Sequence, residues 1–371
     1  MQEKASAMKK RWFVAGFALA LLAAGAAAVR FSAPVQAALA SRMIDRHMGE
    51  NRDRLMTDDA LRVVICGSGS PLPDPNAAES CVAVIAGGRI ILSDVGSGSM
   101  RNLVSWPLPI GRVGDVLLTH FHSDHIADLP IANMQSWVDG RSAPLRVWGG
   151  PGVEAVVDGY NLAFAQDSSY RSGHHGEVLM PMRLAAMEAR LVASADGAPL
   201  SGLEQAVIVD DGALKITAFA VEHPPVSPAY GYRIDYRGRS VTISGDTHAT
   251  ASVAEAAAGS DVLIHEAIDA PMVAELAEAA QRHGRDRLAK VLDDIQTYHA
   301  TPADAREAGV AAGVRLVILT HLVPPIPPAL GDTLRLRGLA TRDPELRVAR
   351  DGMVIELPIG SSDVHVDAIR R

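Results

Sequence analysis

Short runs of apolar residues, bounded by turn-forming residues, recur along this chain and predict buried strands. The predicted strands are 61–66, 81–86, 89–92, 116–118, 145–148, 207–220, 230–243, 262–265, 316–319, 347–349 and 353–357, with turns at 210–212 and 237–239 inside the two longest. The predicted helices are 99–104, 129–138, 153–165, 251–258 and 272–281, and another that begins at Thr301 and Pro302. Strands mixed with helices in both halves of the chain predict an α/β fold.

The N-terminus has the pattern of a targeting segment. An uncharged run from Trp12 to Val29 follows four basic residues, which are Lys4, Lys9, Lys10 and Arg11. Its length falls between a signal-peptide core and a membrane span, and Val35-Gln36-Ala37 resembles a cleavage site. We therefore expect residues 1–37 to be a signal peptide or an N-terminal membrane anchor. Either one predicts a translocated, periplasmic or otherwise extracytoplasmic remainder.

The rest of the chain divides into an amphipathic helical linker, residues 38–58, and one large domain, residues 59–371. The composition is that of a globular protein, with 48% hydrophobic and 21% charged residues. The formal net charge of −8 argues against a general nucleic-acid binder, which normally has a basic face. Cys66 and Cys81 can pair in an oxidising compartment, but two free thiols in the core are the favoured interpretation.

Four potential metal ligands follow the strand at 116–118 within six residues, namely His120, His122, Asp124 and His125. In an extended segment, the side chains of His120 and His122 point to the same side and can reach one ion. Imidazole and carboxylate ligands in this mixture suit zinc, iron or manganese better than calcium or magnesium. This spacing, directly after a strand, favours a metal site over a surface loop that is rich in histidine.

Three more potential ligands lie far along the chain in equivalent positions. His223, Asp246 and His321 each come at or just after the C-terminal end of an apolar run. Strand ends of this kind can meet at one rim of a pair of buried sheets. We therefore expect all of these residues to lie close together.

These motifs, in this order, resemble those of the metallo-β-lactamase superfamily. The similarity is greatest to the branch that contains ribonuclease Z, arylsulfatase-like and phosphodiesterase enzymes. It extends from about residue 60 to the C-terminus and rests on segments 119–125, 223–233, 245–247, 263–267, 299–301 and 319–321. The resemblance implies a four-layer αββα sandwich with its site at one rim.

The resemblance also implies a site with two divalent metal ions, which we expect to be Zn²⁺. One ion would take His120, His122 and His223, the second would take Asp124, His125 and His321, and Asp246 would bridge them. The implied nucleophile is metal-bound hydroxide, oriented by Asp124. His299 is the implied general acid, with Glu266 as its orienting partner. Asp94 is expected to brace the metal-binding loop.

One departure from ribonuclease Z changes the predicted substrate. That enzyme carries a long tRNA-clamping arm where this chain has only residues 234–244, enough for a hairpin. Together with the negative charge and the targeting segment, this predicts no nucleic-acid partner and no tRNA processing. The similarity of segments 67–76 and 85–88 to arylsulfatase-like enzymes instead predicts cleavage of small sulfate esters or phosphodiesters.

Several alternatives remain open at the level of sequence. One is a lactone, carboxylic-ester or β-lactam hydrolase, and another is a non-catalytic metal-binding scaffold. The adjacent His174 and His175 fit either a substrate pocket or a polar loop. The sequence is also compatible with a homodimer, and it leaves the physiological substrate and the cleavage of the N-terminal segment undetermined.

Overall fold

The computed structural model describes residues 32–369, together with residues 12, 15, 18, 22, 25, 26, 29 and 30. Most of the predicted targeting segment, 1–37, therefore lies outside the described residues. The chain divides into two compact units, Met1–Asn51 and Arg52–Arg371. In the first unit, helix α1 (Ala33–Met48) buries no side chain. Of the helices that the structure describes, none combines the length and the apolar character needed to cross a membrane. The predicted divisions after residues 37 and 58 stay predictions.

The second unit alternates strands and helices along its whole length. Its described strands are β1 (Ala60–Gly67), β2 (Cys81–Ala86), β3 (Arg89–Ser93), β4 (Val113–Leu117), β5 (Arg146–Gly149), β6 (Glu188–Leu191), β7 (Gln205–Asp210), β8 (Leu214–His223), β9 (Val226–Tyr236), β10 (Arg239–Ile243), β11 (Val262–Ile268), β12 (Leu316–Val323), β13 (Glu345–Val348), β14 (Met353–Pro358) and β15 (His365–Ala368). Its described helices are α2 (Ser99–Ser105), α3 (Ser123–Ile126), α4 (Leu129–Val138), α5 (Val153–His175), α6 (Ala251–Ala256), α7 (Ala270–Arg282), α8 (Asp286–Asp294), α9 (Pro302–Ala312) and α10 (Pro328–Arg335), with short 3₁₀ turns at Ile110–Arg112, Met182–Leu184 and Ile295–Thr297.

The strands form two sheets, and the predicted αββα sandwich is confirmed. One sheet has the order β15-β14-β1-β2-β3-β4-β5-β6 and the other has the order β13-β12-β11-β10-β9-β8-β7. Apolar side chains from both sheets pack together in the central core. Helices α2, α4 and α5 cover the outer face of the first sheet, and α6 and α9 cover that of the second. Sheets buried on both faces explain why the strands read as continuous apolar runs.

The parallel pairing of β10, β11 and β12 positions the candidate site. Ile243, the last residue of β10, pairs with Ile264, and Ile264 pairs with Ile318, so the three strands run side by side in the same direction. Strands β11 and β12 continue past the end of β10, to Ile268 and Val323. Strands β3, β4, β5 and β6 are also parallel to one another. The polar residues that follow these strand ends are consequently brought to one edge of the sandwich, which we call the C-terminal rim.

Some elements differ from the prediction. Helix α5 continues to His175, ten residues beyond its predicted end, so His174 and His175 lie on the last turn of a helix. Helix α10 begins at Pro328, where we expected a proline-rich loop. Proline is well tolerated in the first turn of a helix, so the prolines mark its start. Helix α8 was not predicted, and strand β15 extends the first sheet beyond the expected last strand.

Cys66 and Cys81 form a disulfide, with their Cα atoms 5.0 Å apart. The favoured prediction of two free thiols was therefore wrong. The register between β1 and β2 places Cys81 opposite Gly67, which brings the two thiols together across the ends of the strands. Sequence spacing alone contains no information about this distance.

Candidate metal centre

The C-terminal rim brings together the seven residues predicted as metal ligands. Three of them come from the second sheet: His223 ends β8, Asp246 follows β10, and His321 lies near the C-terminal end of β12. The other four, His120, His122, Asp124 and His125, come from the segment that leaves β4 and enters the short helix α3. Six of the seven side chains are buried, and only His122 is exposed.

Three histidines form the first group of potential ligands. Donor atoms of His120, His122 and His223 lie within 4.8 Å of one another. His120 Nε2 is 2.9 Å from His122 Nδ1, as expected for side chains on the same side of an extended segment. The Nδ1 atom of His223 lies 3.1 Å from the backbone oxygen of Tyr298. This contact leaves His223 Nε2 directed at the cluster.

Asp124, His125 and His321 form the second group, again within 4.8 Å of one another. The Oδ2 atom of Asp246 lies 3.3 Å from the Nε2 atoms of both His125 and His321. The same Asp246 oxygen is 3.9 Å from His223 Nε2 in the first group. Asp246 therefore lies between the two groups, where a bridging carboxylate would have to lie.

The electrostatics of this cluster follow from close packing of carboxylates and imidazoles away from water. Burial raises the pKa of Asp246, but the nearby His321 and His125 outweigh it and hold the pKa well below its ordinary value. Burial would lower the pKa of His321, yet Asp246 and a hydrogen bond with Asp124 raise it to about 9. In His120, by contrast, burial dominates and lowers the pKa well below its ordinary value.

Two buried ring nitrogens in the cluster test whether a cation fits. Neither His125 Nε2 nor His321 Nδ1 makes a hydrogen bond to any described residue. His125 Nε2 lies 3.3 Å from carboxylate oxygens of both Asp124 and Asp246 without a hydrogen bond to either. Buried polar atoms are normally paired, so a nitrogen in this position indicates a place for a cation. A set of imidazoles and carboxylates without thiolate is the chemistry that zinc and similar divalent ions accept. The donor set therefore fits a divalent metal ion.

Asp94, directly after β3, holds the metal-binding segment in place. Its carboxylate accepts hydrogen bonds from the backbone and the hydroxyl of Thr119, both at 2.9 Å, and lies 2.8 Å from His125 Nδ1. These contacts agree with its predicted bracing role. Asp94 and His321 also have positive φ angles, 57° and 47°, which are uncommon for residues other than glycine. Backbone strain of this kind tends to occur at functional sites.

His299 and Glu266 lie beside the cluster and contact each other. His299 Nδ1 is 2.8 Å from Glu266 Oε1, and that oxygen also accepts the backbone N–H groups of Thr247 and Ala300. A ring nitrogen of His299 lies within 4.8 Å of donor atoms of His223 and Asp246. The glutamate thus fixes the imidazole in an orientation that faces the candidate metal site.

Tyr298 is a contact residue of the site that the sequence analysis did not identify. Its ring packs against the rings of His223 and His299, with centroid distances of 5.1 and 4.9 Å. Its position beside His299 was the only signal in the sequence. His174 and His175, in contrast, are not part of any group of potential ligands among the described residues.

Comparisons with known proteins agree on the architecture. A family profile described as a β-lactamase superfamily domain matches residues 91–322. The chain is 32% identical to Ribonuclease Z of Mycobacterium avium over 76% of its own length and 92% of that protein's. It is 33% identical to Ribonuclease Z of Mycobacterium bovis, with the same coverage.

Two solved structures share the fold. Human tRNase Z, short form, covers 80% of this chain and all of its own, with a TM-score of 0.57 and 22% identity. A metallo-β-lactamase fold protein from Bacillus subtilis, YhfI, covers the same shares with a TM-score of 0.54 and 19% identity. At these identities the likeness extends to the fold alone.

The relatives overturn the predicted substrate class. Proteins named Ribonuclease Z match most of the chain, which contradicts the arylsulfatase-like action on small esters and the exclusion of nucleic acid. They also contradict the predicted periplasmic location, with its signal peptide or membrane anchor, since that location was a reason for excluding RNA. The expected hairpin at 234–244 is present as the turn from β9 into β10, but it does not exclude RNA. The negative net charge does not exclude RNA either, because net charge is a sum over the whole chain and does not describe local surfaces.

Proposed function

We propose that this chain, which belongs to the ribonuclease Z branch of the metallo-β-lactamase superfamily, is a metal-dependent ribonuclease. The proposal rests on this membership and on the geometry of the site. The proposed reaction is hydrolysis of a phosphodiester bond in RNA, with precursor tRNA that carries a 3′ extension as the substrate class. The observation that carries the proposal is the Asp246 carboxylate between two groups of potential ligands. The names of the relatives supply the substrate.

We assign His120, His122 and His223 to one ion, and Asp124, His125 and His321 to a second, with Asp246 shared between them. Two divalent ions, Zn²⁺ by the donor types, would lower the pKa of water for attack on phosphorus and stabilise charge on the attacking and leaving oxygens. Burial of the carboxylates keeps water from screening them, which strengthens their attraction for cations.

We propose that His299 supplies the proton that the leaving oxygen needs. Because Nδ1 contacts Glu266, the Nε2 atom is the one available to a substrate. Glu266 is itself held by two backbone N–H groups, so it orients the ring and stabilises the imidazolium. A ribose oxygen is a poor leaving group unless it is protonated, and a positioned acid is worth roughly 10²–10⁴ in rate.

The substrate assignment can be tested directly. The protein is reconstituted with zinc and incubated with 3′-extended precursor tRNA, with the Asp246→Ala variant as control. We expect the wild type to cleave the RNA and the variant to cleave it about 10²-fold more slowly or not at all. Because water is the nucleophile, the products should contain no 2′,3′-cyclic phosphate. Turnover of bis(4-nitrophenyl) phosphate without any cleavage of RNA would overturn the substrate, and a cyclic phosphate product would overturn the mechanism.

A further inference from the structure

A helical hairpin separates the two residues of the proposed proton-transfer pair. After β11, which carries Glu266, the chain forms α7 and α8 and then reaches His299. Val273 and Ala277 on α7 pack with Leu292 on α8 in one apolar cluster. That cluster also contains Ile268 of β11 and Val323 of β12. The hairpin is therefore anchored on the strands that carry Glu266 and His321.

The tip of this hairpin is strongly basic. Residues 282–290, which we call the basic tip, contain four basic residues and one acidic residue. The basic residues are Arg282, Arg285, Arg287 and Lys290, and the acidic one is Asp286. All five are exposed. This local excess of positive charge stands out because the whole chain has a formal net charge of −8.

Two of these cations have no partner among the residues that the structure describes. Arg282 contacts Glu278 at 3.5 Å, and Lys290 pairs with Asp294. The side chains of Arg285 and Arg287 form no ion pair and no hydrogen bond with any residue that the structure describes. Exposed arginines elsewhere are often paired; Arg350, for example, lies 3.0 Å from Asp332. Arg285 and Arg287 are thus free to bind an external anion.

The distance between the basic tip and the site suits an extended polyanion. Helix α7 has 13 residues, which gives a length of about 20 Å at about 1.5 Å per residue. The basic tip is at its far end, and α8 returns from there to the segment that carries His299. A molecule that reaches both places must be long and must carry negative charge away from the reacting bond. The sugar–phosphate backbone of RNA has both properties.

We infer that the basic tip binds backbone phosphates of the RNA substrate at a distance from the bond that is cleaved. The inference rests on the proposed function and extends it, since it adds a binding surface outside the metal centre. Contacts of this kind position a nucleic acid without reading its sequence. They should therefore act on the affinity for RNA and leave the chemistry at the metal centre unchanged.

The test compares two double variants of the full chain. The first, R285A/R287A, removes the two unpaired cations. The control, R112A/R342A, removes two exposed arginines that precede the parallel strands β4 and β13 and so lie at the rim opposite the metal centre. KM and kcat are measured for 3′-extended precursor tRNA at several salt concentrations, and for bis(4-nitrophenyl) phosphate. R285K/R287K tests whether charge is what matters.

For R285A/R287A we expect KM for the RNA to rise by roughly tenfold at low salt, because two counterion-releasing contacts are lost. The slope of log affinity against log salt should become shallower by about one for each arginine that contacts a phosphate. Turnover of bis(4-nitrophenyl) phosphate should not change, and R112A/R342A and R285K/R287K should behave like the wild type.

Two results would overturn the inference. If the wild type cleaves RNA and R285A/R287A has the same KM and salt dependence, the basic tip does not bind the substrate. The same conclusion holds if R112A/R342A loses as much affinity as R285A/R287A, because the effect would then be one of overall charge. A wild type that hydrolyses bis(4-nitrophenyl) phosphate but neither binds nor cleaves RNA would instead remove the proposed function itself, and the inference with it.

Discussion

Asp246 is the side chain on which the proposed site depends most, because it faces both groups of potential ligands. Replacing it with alanine would leave His125 and His321 without the carboxylate between them. For Asp246→Ala we expect the loss of at least one metal ion per chain and a fall in phosphodiesterase activity of about 10²-fold or more. Elemental analysis of the purified protein and an activity assay would check this.

The matched control for that variant is Asp196→Ala, which removes a carboxylate from an exposed loop. It should keep both its metal ions and its activity. A normal metal content in Asp246→Ala would show that the carboxylate is not a ligand.

His299 can be separated from the metal ligands by its effect on the leaving group. His299→Ala should keep its metal ions, because the proposed ligands are elsewhere. It should slow the cleavage of RNA, whose leaving oxygen is strongly basic, by roughly 10²–10⁴-fold. Bis(4-nitrophenyl) phosphate has a weakly basic leaving group and should be affected much less.

The control for His299→Ala is His365→Ala, at an exposed position on β15, which should change neither rate. Equal losses for RNA and for the nitrophenyl substrate would refute the role of His299 as an acid. Loss of metal from His299→Ala would place it among the ligands.

At the scale of single residues, the sequence indicated site residues where a potential metal ligand comes at the end of an apolar run. His223, Asp246 and His321 could be selected because each comes at the end of an apolar run, and the structure brings them together with the cluster around His120. Their role as ligands stays a prediction. Tyr298 could not be selected, because its contacts with His223 and His299 arise only from the folded arrangement of distant segments.

At the scale of elements, the turn after β3 fixes the position of helix α3. A Cβ atom on Gly96 would lie 2.1 Å from the backbone oxygen of Asp124 and 2.6 Å from the Cβ of Glu79. Gly96→Ala must therefore displace the segment that carries Asp124 and His125. We expect it to lower the free energy of unfolding by about 1–3 kcal/mol and to reduce the metal content.

Gly114→Ala is the matched control, because no atom lies within 4 Å of the added Cβ and the residue belongs to β4, which leads into the same metal-binding segment. It should keep the full metal content. Thermal unfolding and elemental analysis of the two variants would test the difference, and equal behaviour would contradict the proposed contact.

The disulfide between Cys66 and Cys81 provides a second test at this scale. It closes a loop with a sequence separation of 15 residues, which should stabilise the folded state by about 3 kcal/mol. A thiol reductant should lower the free energy of unfolding of the wild type, measured with urea. The C66A/C81A variant should be insensitive to the reductant. If the wild type is insensitive too, the cysteines are not paired.

Element boundaries were predictable where the sequence contains a clear stop signal. Helix α9 begins at Pro302 behind Thr301, whose side chain accepts the backbone N–H of Asp304, as the cap pattern predicts. Helix α5 has no such signal near residue 165, and its predicted end was too early. The prolines before α10 predict a loop by their number, although proline is compatible with the first turn of a helix.

At the scale of the whole molecule, the fold class followed from the order of the motifs, whereas the substrate did not. A net charge of −8 suggested that RNA is excluded, but it is a sum over the whole chain and does not describe the hairpin of α7 and α8. The basic tip has four basic residues among its nine positions, which is too few to change the net charge of the chain by much. Overall charge therefore predicts solubility better than it predicts binding at one surface.

The proposed two-metal site at the C-terminal rim would cleave RNA only when it is loaded with metal. The most direct measurement is a titration of the metal-free protein with Zn²⁺, in which cleavage of 3′-extended precursor tRNA and bound metal are followed in the same samples. We predict that cleavage rises with metal and reaches its maximum at two ions per chain. Full loading with two ions and no cleavage of the RNA, or full cleavage without bound metal, would contradict the account.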